Sequence, residues 1–323
     1  MVGLAGQSGH PELATVPIVP FGHSAQATFP WNFAAWNPER TLAVISFHGD
    51  APRTNLCGYG TANVEWGRTR NIDGIPGLMV IGEYEWWQAR VRPALAFQMM
   101  YPNSCISLLC DAGSGHFDLC DATIDYIGLF LEKTCQYRLQ ADGTLQLLSP
   151  ANGWRFGCPT GGDREGDPIT AFPQTEPAPW AAYTGDPHTA FWYIDEEMAR
   201  LTAARYAETE GKEDQRKDIV KLDLRHLNVG DTIRLDTLLA PATPLYSRKR
   251  LRVGEPYSGM GLGVDLFYIC GPVRKVDKNT FEIIPYDCGS DNPKRSHSAW
   301  VVAVTEGDAK HKRSVQPIQI SLK

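Results

Sequence analysis

The residues that could do chemistry stand at the ends of short apolar runs. PFGHSAQATF (residues 20–29) carries an apolar segment into Gly22-His23-Ser24-Ala25-Gln26 and on toward a helix. A serine on a sharp strand-to-helix turn projects its hydroxyl above the carboxyl edge of a sheet, where it can attack a carbonyl carbon. Such a turn is tight, so the residue two before the serine must be small, and Gly22 is. The N–H of Ala25, next after the serine, is placed to stabilise a developing oxyanion. Gln26 departs from the pattern, because a second small residue is usual there.

A serine nucleophile needs a histidine as base and a carboxylate to orient it. On a parallel sheet these come from later strand ends, in the order serine, acid, histidine. LLCDAGSGHFD (residues 108–118) sets His116 in a glycine-flanked loop after a strand, where the base belongs. GLMVIGEYEWW (residues 77–87) ends the preceding strand and offers Glu85 as the acid, with Glu83 two residues away. Asp50, closing FHGD (residues 47–50), is the competing acid. His23 beside the serine, and Trp86 and Trp87 after the acid, are candidate substrate contacts. His23, His48, His116 and Asp50 lack the helical i, i+4 spacing of a metal site, so neither metal nor cofactor is expected. GGDREGD (residues 161–167), with Asp163, Glu165 and Asp167, resembles a calcium loop in composition alone.

The chain of 323 residues is long enough for two domains, and 43% hydrophobic with 21% charged residues is ordinary globular composition. A formal net charge of −6 argues against a nucleic-acid partner, which calls for a basic face. No apolar run approaches the roughly 20 residues that span a bilayer. MVGLAGQSGHPEL has no basic n-region and no apolar h-region, so it does not read as a signal peptide. The eight cysteines form no C-x-x-C pair, which speaks against a zinc ribbon. Cys270 and Cys288, in the tail, are the pair that could bridge in an exported protein.

These residues need a scaffold, and the pattern along the chain supplies one. Residues 1–140 alternate apolar runs with helical stretches, the mark of βα units on a mostly parallel sheet. The strands are expected at 16–21, 42–47, 78–81 and 105–109, with helices at 27–36, 85–100 and 122–135. Ile124, Ile127, Leu131 and Cys135 would share the buried face of the last helix. Residues 141–217 are a linker or cover segment. Within it a helix is expected over 187–210, capped by Asp186, with Pro187 in its first turn and a core stripe of Phe191, Ile194, Met198 and Leu201. Residues 218–323 alternate in short runs between turns and predict an antiparallel β-sandwich of immunoglobulin-like type.

Residues 16–135 resemble the second half of the α/β-hydrolase fold, on the strength of FGHSA, FHGD, PGLMVIGEYEWW and DAGSGHFD. From about residue 175, YTGDPHTAFWYIDEEMA and FYICGP are similar to tails of esterase-like proteins of environmental bacteria, a looser likeness that carries no known site. The resemblance implies a serine esterase: Ser24 as nucleophile, His116 as base, Glu85 as acid, with Asp50 or Glu83 as the alternative acid. The substrate would be a carboxylic ester, aromatic or polymeric if the neighbouring aromatic residues contact it. An intact fold has about four strands and two helices before the elbow, including the loop that gives the second oxyanion N–H. Only fifteen residues precede Val16 here. The expectation is therefore a shortened form, exported if its parent carries a leader, with its open flank covered by the sandwich, the 141–186 segment or a second copy. The competing reading is a catalytically impaired relic that binds carbohydrate or a protein partner.

Overall fold

The computed structural model describes residues 2–52, 72–85, 87–116, 119–161, 169–213, 220–234, 264–270, 272–277, 280–285, 298–305 and 307–323. Contacts divide the chain into two units. The first comprises Met1–Asp111 with Asp125–Ala207, and the second Ala112–Ile124 with Glu208–Lys323. Helices and strands are mixed, and the class is α/β. Among the described residues no helix is long and apolar enough to cross a membrane.

The first unit is built on four parallel strands paired in chain order: β1 (Phe21–His23), β2 (Val44–Phe47), β3 (Pro76–Gly82) and β4 (Cys105–Asp111). Every residue of β2, β3 and β4 is buried, as befits parallel strands covered on both faces. β1 starts later than the apolar run 16–21 suggests. Pro17 and Pro20 have no N–H to give a ladder, so that run contributes a single bridge, Ile18 to Thr41, before the true strand begins. Helices α1 (Val2–Ser8), α2 (Phe29–Trp36), α3 (Trp87–Met100) and α4 (Asp121–Arg138) accompany these strands in sequence.

The buried face of α4 differs from the expected one. Ile124 and Cys135 are exposed, whereas Tyr126, Phe130, Thr134 and Arg138 are buried. A stripe containing polar residues can be buried because each polar group has a partner. The Tyr126 hydroxyl meets Thr202 Oγ1 at 2.6 Å, and Thr134 donates to the Phe130 carbonyl at 2.8 Å. Arg138 donates to the carbonyls of Thr41, Leu42 and Gln146 at 2.6, 2.5 and 2.8 Å. Burial lowers its guanidinium to about 10, and three carbonyl acceptors offset that cost.

Residues 187–210 also depart from the single helix expected. Asp186 does cap, accepting from the His188 N–H at 2.9 Å, but the cap opens only one 3₁₀ turn. Strands β5 (Trp154–Gly157), β6 (Thr160–Gly161), β7 (Ile169–Ala171) and β8 (Ala178–Pro179) precede it, and β9 (Ala190–Tyr193) and α5 (Glu196–Ala207) come after. Ala190–Tyr193 is buried on both faces and pairs antiparallel with β5, so tertiary pairing overrides the helical spacing of Phe191 and Ile194. This segment serves the parallel sheet. β4 is an edge strand, and its Leu108 carbonyl and Cys110 N–H belong to the side that no strand pairs. The Tyr193 hydroxyl donates to the first at 2.7 Å, and the Tyr206 hydroxyl accepts from the second at 3.1 Å. Arg205 donates to the fully buried Asp111 at 2.6 Å. On the other edge, beside β1, Phe21, Phe29 and Trp36 are exposed.

The second unit holds a four-stranded sheet ordered β10 (Val220–Asp223), β16 (Ser314–Ser321), β15 (Ser298–Thr305), β12 (Val264–Cys270), and a three-stranded one ordered β11 (Thr232–Arg234), β14 (Thr280–Ile283), β13 (Val273–Lys275). Pairing is antiparallel except that β10 runs parallel to β16. One apolar cluster, including Leu222, Ile233, Phe281, Ala299 and Ile318, draws on both sheets. Cys288 lies outside the described residues.

The tyrosine bonds at the β4 edge are open to test. Tyr193→Phe and Tyr206→Phe each strand one buried backbone group, and each is expected to lose about 1–3 kcal/mol in urea unfolding. Arg205→Ala leaves the Asp111 carboxylate buried without its cation, for an expected loss of about 3–5 kcal/mol.

Candidate active site

Ser24 opens a 3₁₀ turn, Ser24–Gln26, directly after β1, with φ of 56°. The left-handed region is costly for a residue with a Cβ, and here it turns the chain sharply from strand to helix. The Ala27 N–H donates to the Ser24 carbonyl at 2.9 Å, closing the turn. Gly22 is required by close approach: a Cβ there would lie 2.2 Å from the Gln26 carbonyl oxygen and 2.9 Å from Pro30 Cδ. Gln26 itself is exposed, so its bulk is accommodated by pointing outward. Ala25 is exposed too, and among the described residues nothing outside the turn accepts from its N–H.

The next strand ends in the same way. β1 and β2 are in register with His23 opposite Phe47, so Ser24 and His48 leave the same sheet edge side by side. His48 has φ of 47°, and among the described residues it and Ser24 are the non-glycine residues with positive φ. Its N–H donates to the Val80 carbonyl at 2.7 Å, and its carbonyl accepts from Arg90 Nη1 at 2.9 Å. Gly49 lets this turn meet the serine's turn, since a Cβ at Gly49 would lie 1.8 Å from Ala27 Cβ. The Asp50 carbonyl then accepts from Trp31 Nε1 and Ser46 Oγ, both at 2.9 Å. The His23 ring is half-buried, with its centroid 5.9 Å from that of His48 in an edge-on arrangement and 5.7 Å from that of Phe47.

The three candidate acids have separate occupations. Glu85, after β3, is buried, and its Oε1 meets His48 Nδ1 and accepts from the Gly82 N–H at 2.6 Å. Arg90 Nη1 lies 3.7 Å from Glu85 Oε2, and Arg90 Nε 3.9 Å from Asp50 Oδ1. A carboxylate this deep is tolerable because an imidazole, a guanidinium and a backbone N–H face it. Glu83 is also fully buried, but its Oε1 accepts from the Ile169 N–H at 3.1 Å. Asp50 faces Arg90 and ties down its loop through its carbonyl. Glu85 makes the carboxylate–imidazole contact that an acid–base pair needs, with His48. Cys110 is no rival nucleophile, because burial, with the Glu83 and Asp111 carboxylates adding to it, pushes its thiol well above its ordinary value.

His116 falls within the second unit, half-buried in the turn between β4 and α4. Trp86 lies outside the described residues, and Trp87 is the first residue of α3. Asp163, Glu165 and Asp167 are likewise outside them. Among the described residues no group of three or more His, Cys, Asp or Glu side chains is arranged to hold a metal ion. Sequence reasoning weighed His48 for metal binding alone and passed over Arg90. The signal that could have found His48 was FHGD itself, a strand-end histidine one strand from the serine. No family model, curated protein or solved structure matches the chain.

The strain at the serine has its own assay. Ser24→Ala and Ser24→Gly both remove the hydroxyl, but only glycine tolerates φ of 56° without penalty. Ser24→Gly is expected to be more stable than Ser24→Ala by about 1 kcal/mol in chemical denaturation.

Proposed function

We propose that the chain is a carboxylic ester hydrolase that works through an acyl-enzyme on Ser24, carried on an α/β-hydrolase-type sheet. The observation that carries the reading is a strained serine on a strand-to-helix turn, one strand from a buried histidine–carboxylate pair. Strain stored at a strand end is characteristic of a presented nucleophile and needs support from its surroundings. Ser24 Oγ would attack the ester carbonyl while a histidine takes its proton. The Ala25 N–H would stabilise the oxyanion, the alcohol would leave with that proton, and water activated by the same histidine would release the acid.

Glu85 is the acid in this proposal. Two histidines compete for the base. Chain order and the glycine-flanked turn favour His116. Contact with Glu85 favours His48, whose Nδ1 faces the carboxylate, so that proton transfer would fall to Nε2. In the second unit, two sheets sharing one apolar cluster support the β-sandwich reading, although the parallel β10–β16 pair departs from the immunoglobulin pattern. The substrate class proposed is an aromatic or polymeric ester, with His23 as a contact beside the nucleophile.

The experiment is turnover of p-nitrophenyl acetate and butyrate, together with labelling by a fluorophosphonate probe. Wild type is expected to label at Ser24 and Ser24→Ala to lose both labelling and turnover. A folded wild-type protein that neither labels nor turns over would leave the non-catalytic binding reading in possession. The base is identified by comparing His48→Gln with His116→Gln. Loss of the base is expected to cut kcat by about 10⁴-fold or more, and loss of a merely positioning histidine by about 10²-fold.

A further inference from the structure

A second feature of the first unit lies away from the serine. Ser104 immediately precedes β4, so it stands at the amino end of the parallel strands, whereas Ser24 stands at their carboxyl end. A cavity of about 340 Å³ opens there between the last turns of α3 and the strand-rich segment after α4. Its polar lining is Gln98, Ser104, Arg155 and His188, with Trp180 beside them, and Leu95 and Met99 supply apolar wall.

Arg155 is the member that asks for an explanation. Its guanidinium lies 3.4 Å from the centroid of the Trp180 ring, a stacked cation–π contact. Among the described residues it has no carboxylate at ion-pair distance and no hydrogen-bond acceptor for its side chain. Partial burial holds its guanidinium below its ordinary value. Two further polar atoms nearby lack partners among the described residues: Ser104 Oγ, in a residue 2% exposed, and Gln98 Nε2. Both atoms are shielded from solvent, in residues that line the cavity. Asp186, the nearest acidic residue in the chain to His188, uses its carboxylate to cap the His188 N–H.

We propose that this cavity binds a small organic carboxylate with an apolar body, of the arene carboxylate class. The carboxylate would be gripped in the two-pronged fashion that a guanidinium favours, with the Ser104 hydroxyl and the Gln98 amide as additional donors. The apolar part would lie against Leu95 and Met99. A phosphate is a poorer match. The cavity offers one guanidinium, and it lies at the carboxyl end of α3, whose partial negative charge disfavours a dianion more than a monoanion. The volume also suits a ring bearing one carboxylate, at the small end of ligand sites.

The test is titration of the full chain with sodium benzoate, benzyl alcohol and inorganic phosphate by isothermal calorimetry. Wild type and Ser24→Ala are expected to bind benzoate equally, and benzyl alcohol about tenfold more weakly or worse. Arg155→Gln is expected to lose about tenfold or more, and Arg155→Lys, which keeps the charge without the fork, to fall between. A cooperative thermal transition establishes that each variant is folded. Should Arg155→Gln fail that check, Ser104→Ala is expected to weaken benzoate about threefold and serves in its place. Benzoate binding that survives in folded Arg155→Gln or is unmoved in Ser104→Ala overturns the proposal. Tighter binding of phosphate than benzoate, or loss of benzoate binding in Ser24→Ala, does so as well.

Discussion

The first unit is organised around two neighbouring strand ends whose residues occupy backbone conformations that side chains resist. Ser24 and His48 each carry a positive φ, and each costs on the order of 1–3 kcal/mol that the surrounding structure must hold in place. The means are visible. Gly22 and Gly49 allow contacts that any Cβ would forbid, so the serine's turn and the histidine's turn lock against one another through Ala27. The Asp50 carbonyl is pinned by Trp31 and Ser46, and the His48 carbonyl by Arg90. Glu85 then fixes the His48 ring. A turn held this tightly presents its side chains in one arrangement, which is what pre-organised chemistry requires.

The same logic of satisfied polar groups explains how a four-stranded parallel sheet survives with so much of it buried. Parallel sheets ordinarily have both faces covered, and an uncovered edge invites further pairing. At β4 the unpaired backbone groups are taken by tyrosine hydroxyls from β9 and α5. These bonds end the sheet without extending it, and the aromatic rings bring apolar area with them. Arg138 does comparable work elsewhere, joining α4 to the chain before β2 and to residue 146 through three carbonyls. Both devices place charged or polar side chains where a hydrophobic pattern would not look for them.

Much of the first unit was legible as sequence. Apolar runs bounded by turn residues identified β2, β3 and β4, because fully buried parallel strands leave a continuous apolar trace, and helical periodicity placed α3 and α4 after the last two. The tight turn at Gly22 and Ser24 was legible for a similar reason, since a strand-end turn constrains residue size locally. Two kinds of feature were not. The proline-bearing run before Phe21 looked like a strand because hydrophobicity does not register a missing N–H. The stripe on α4 was misplaced because a buried Arg138 or Thr134 is permitted only by hydrogen-bond partners that an apolar periodicity does not register.

Residues 187–210 make the boundary between the two kinds of knowledge concrete. Phe191, Ile194 and Met198 have helical spacing, and Asp186 and Pro187 give a proper start, yet residues 190–193 form a strand because β5 is there to pair with them. Glu85 teaches the same lesson at the site. By itself the sequence determined that a carboxylate follows the third strand and a serine the first, because composition and local turn geometry are short-range properties. Tertiary structure alone decided that Glu85 meets an imidazole, and that the imidazole it meets is His48. That choice depends on which side chains share one buried volume and which charges must be neutralised in it. Those are long-range facts about packing, which no spacing along the chain encodes.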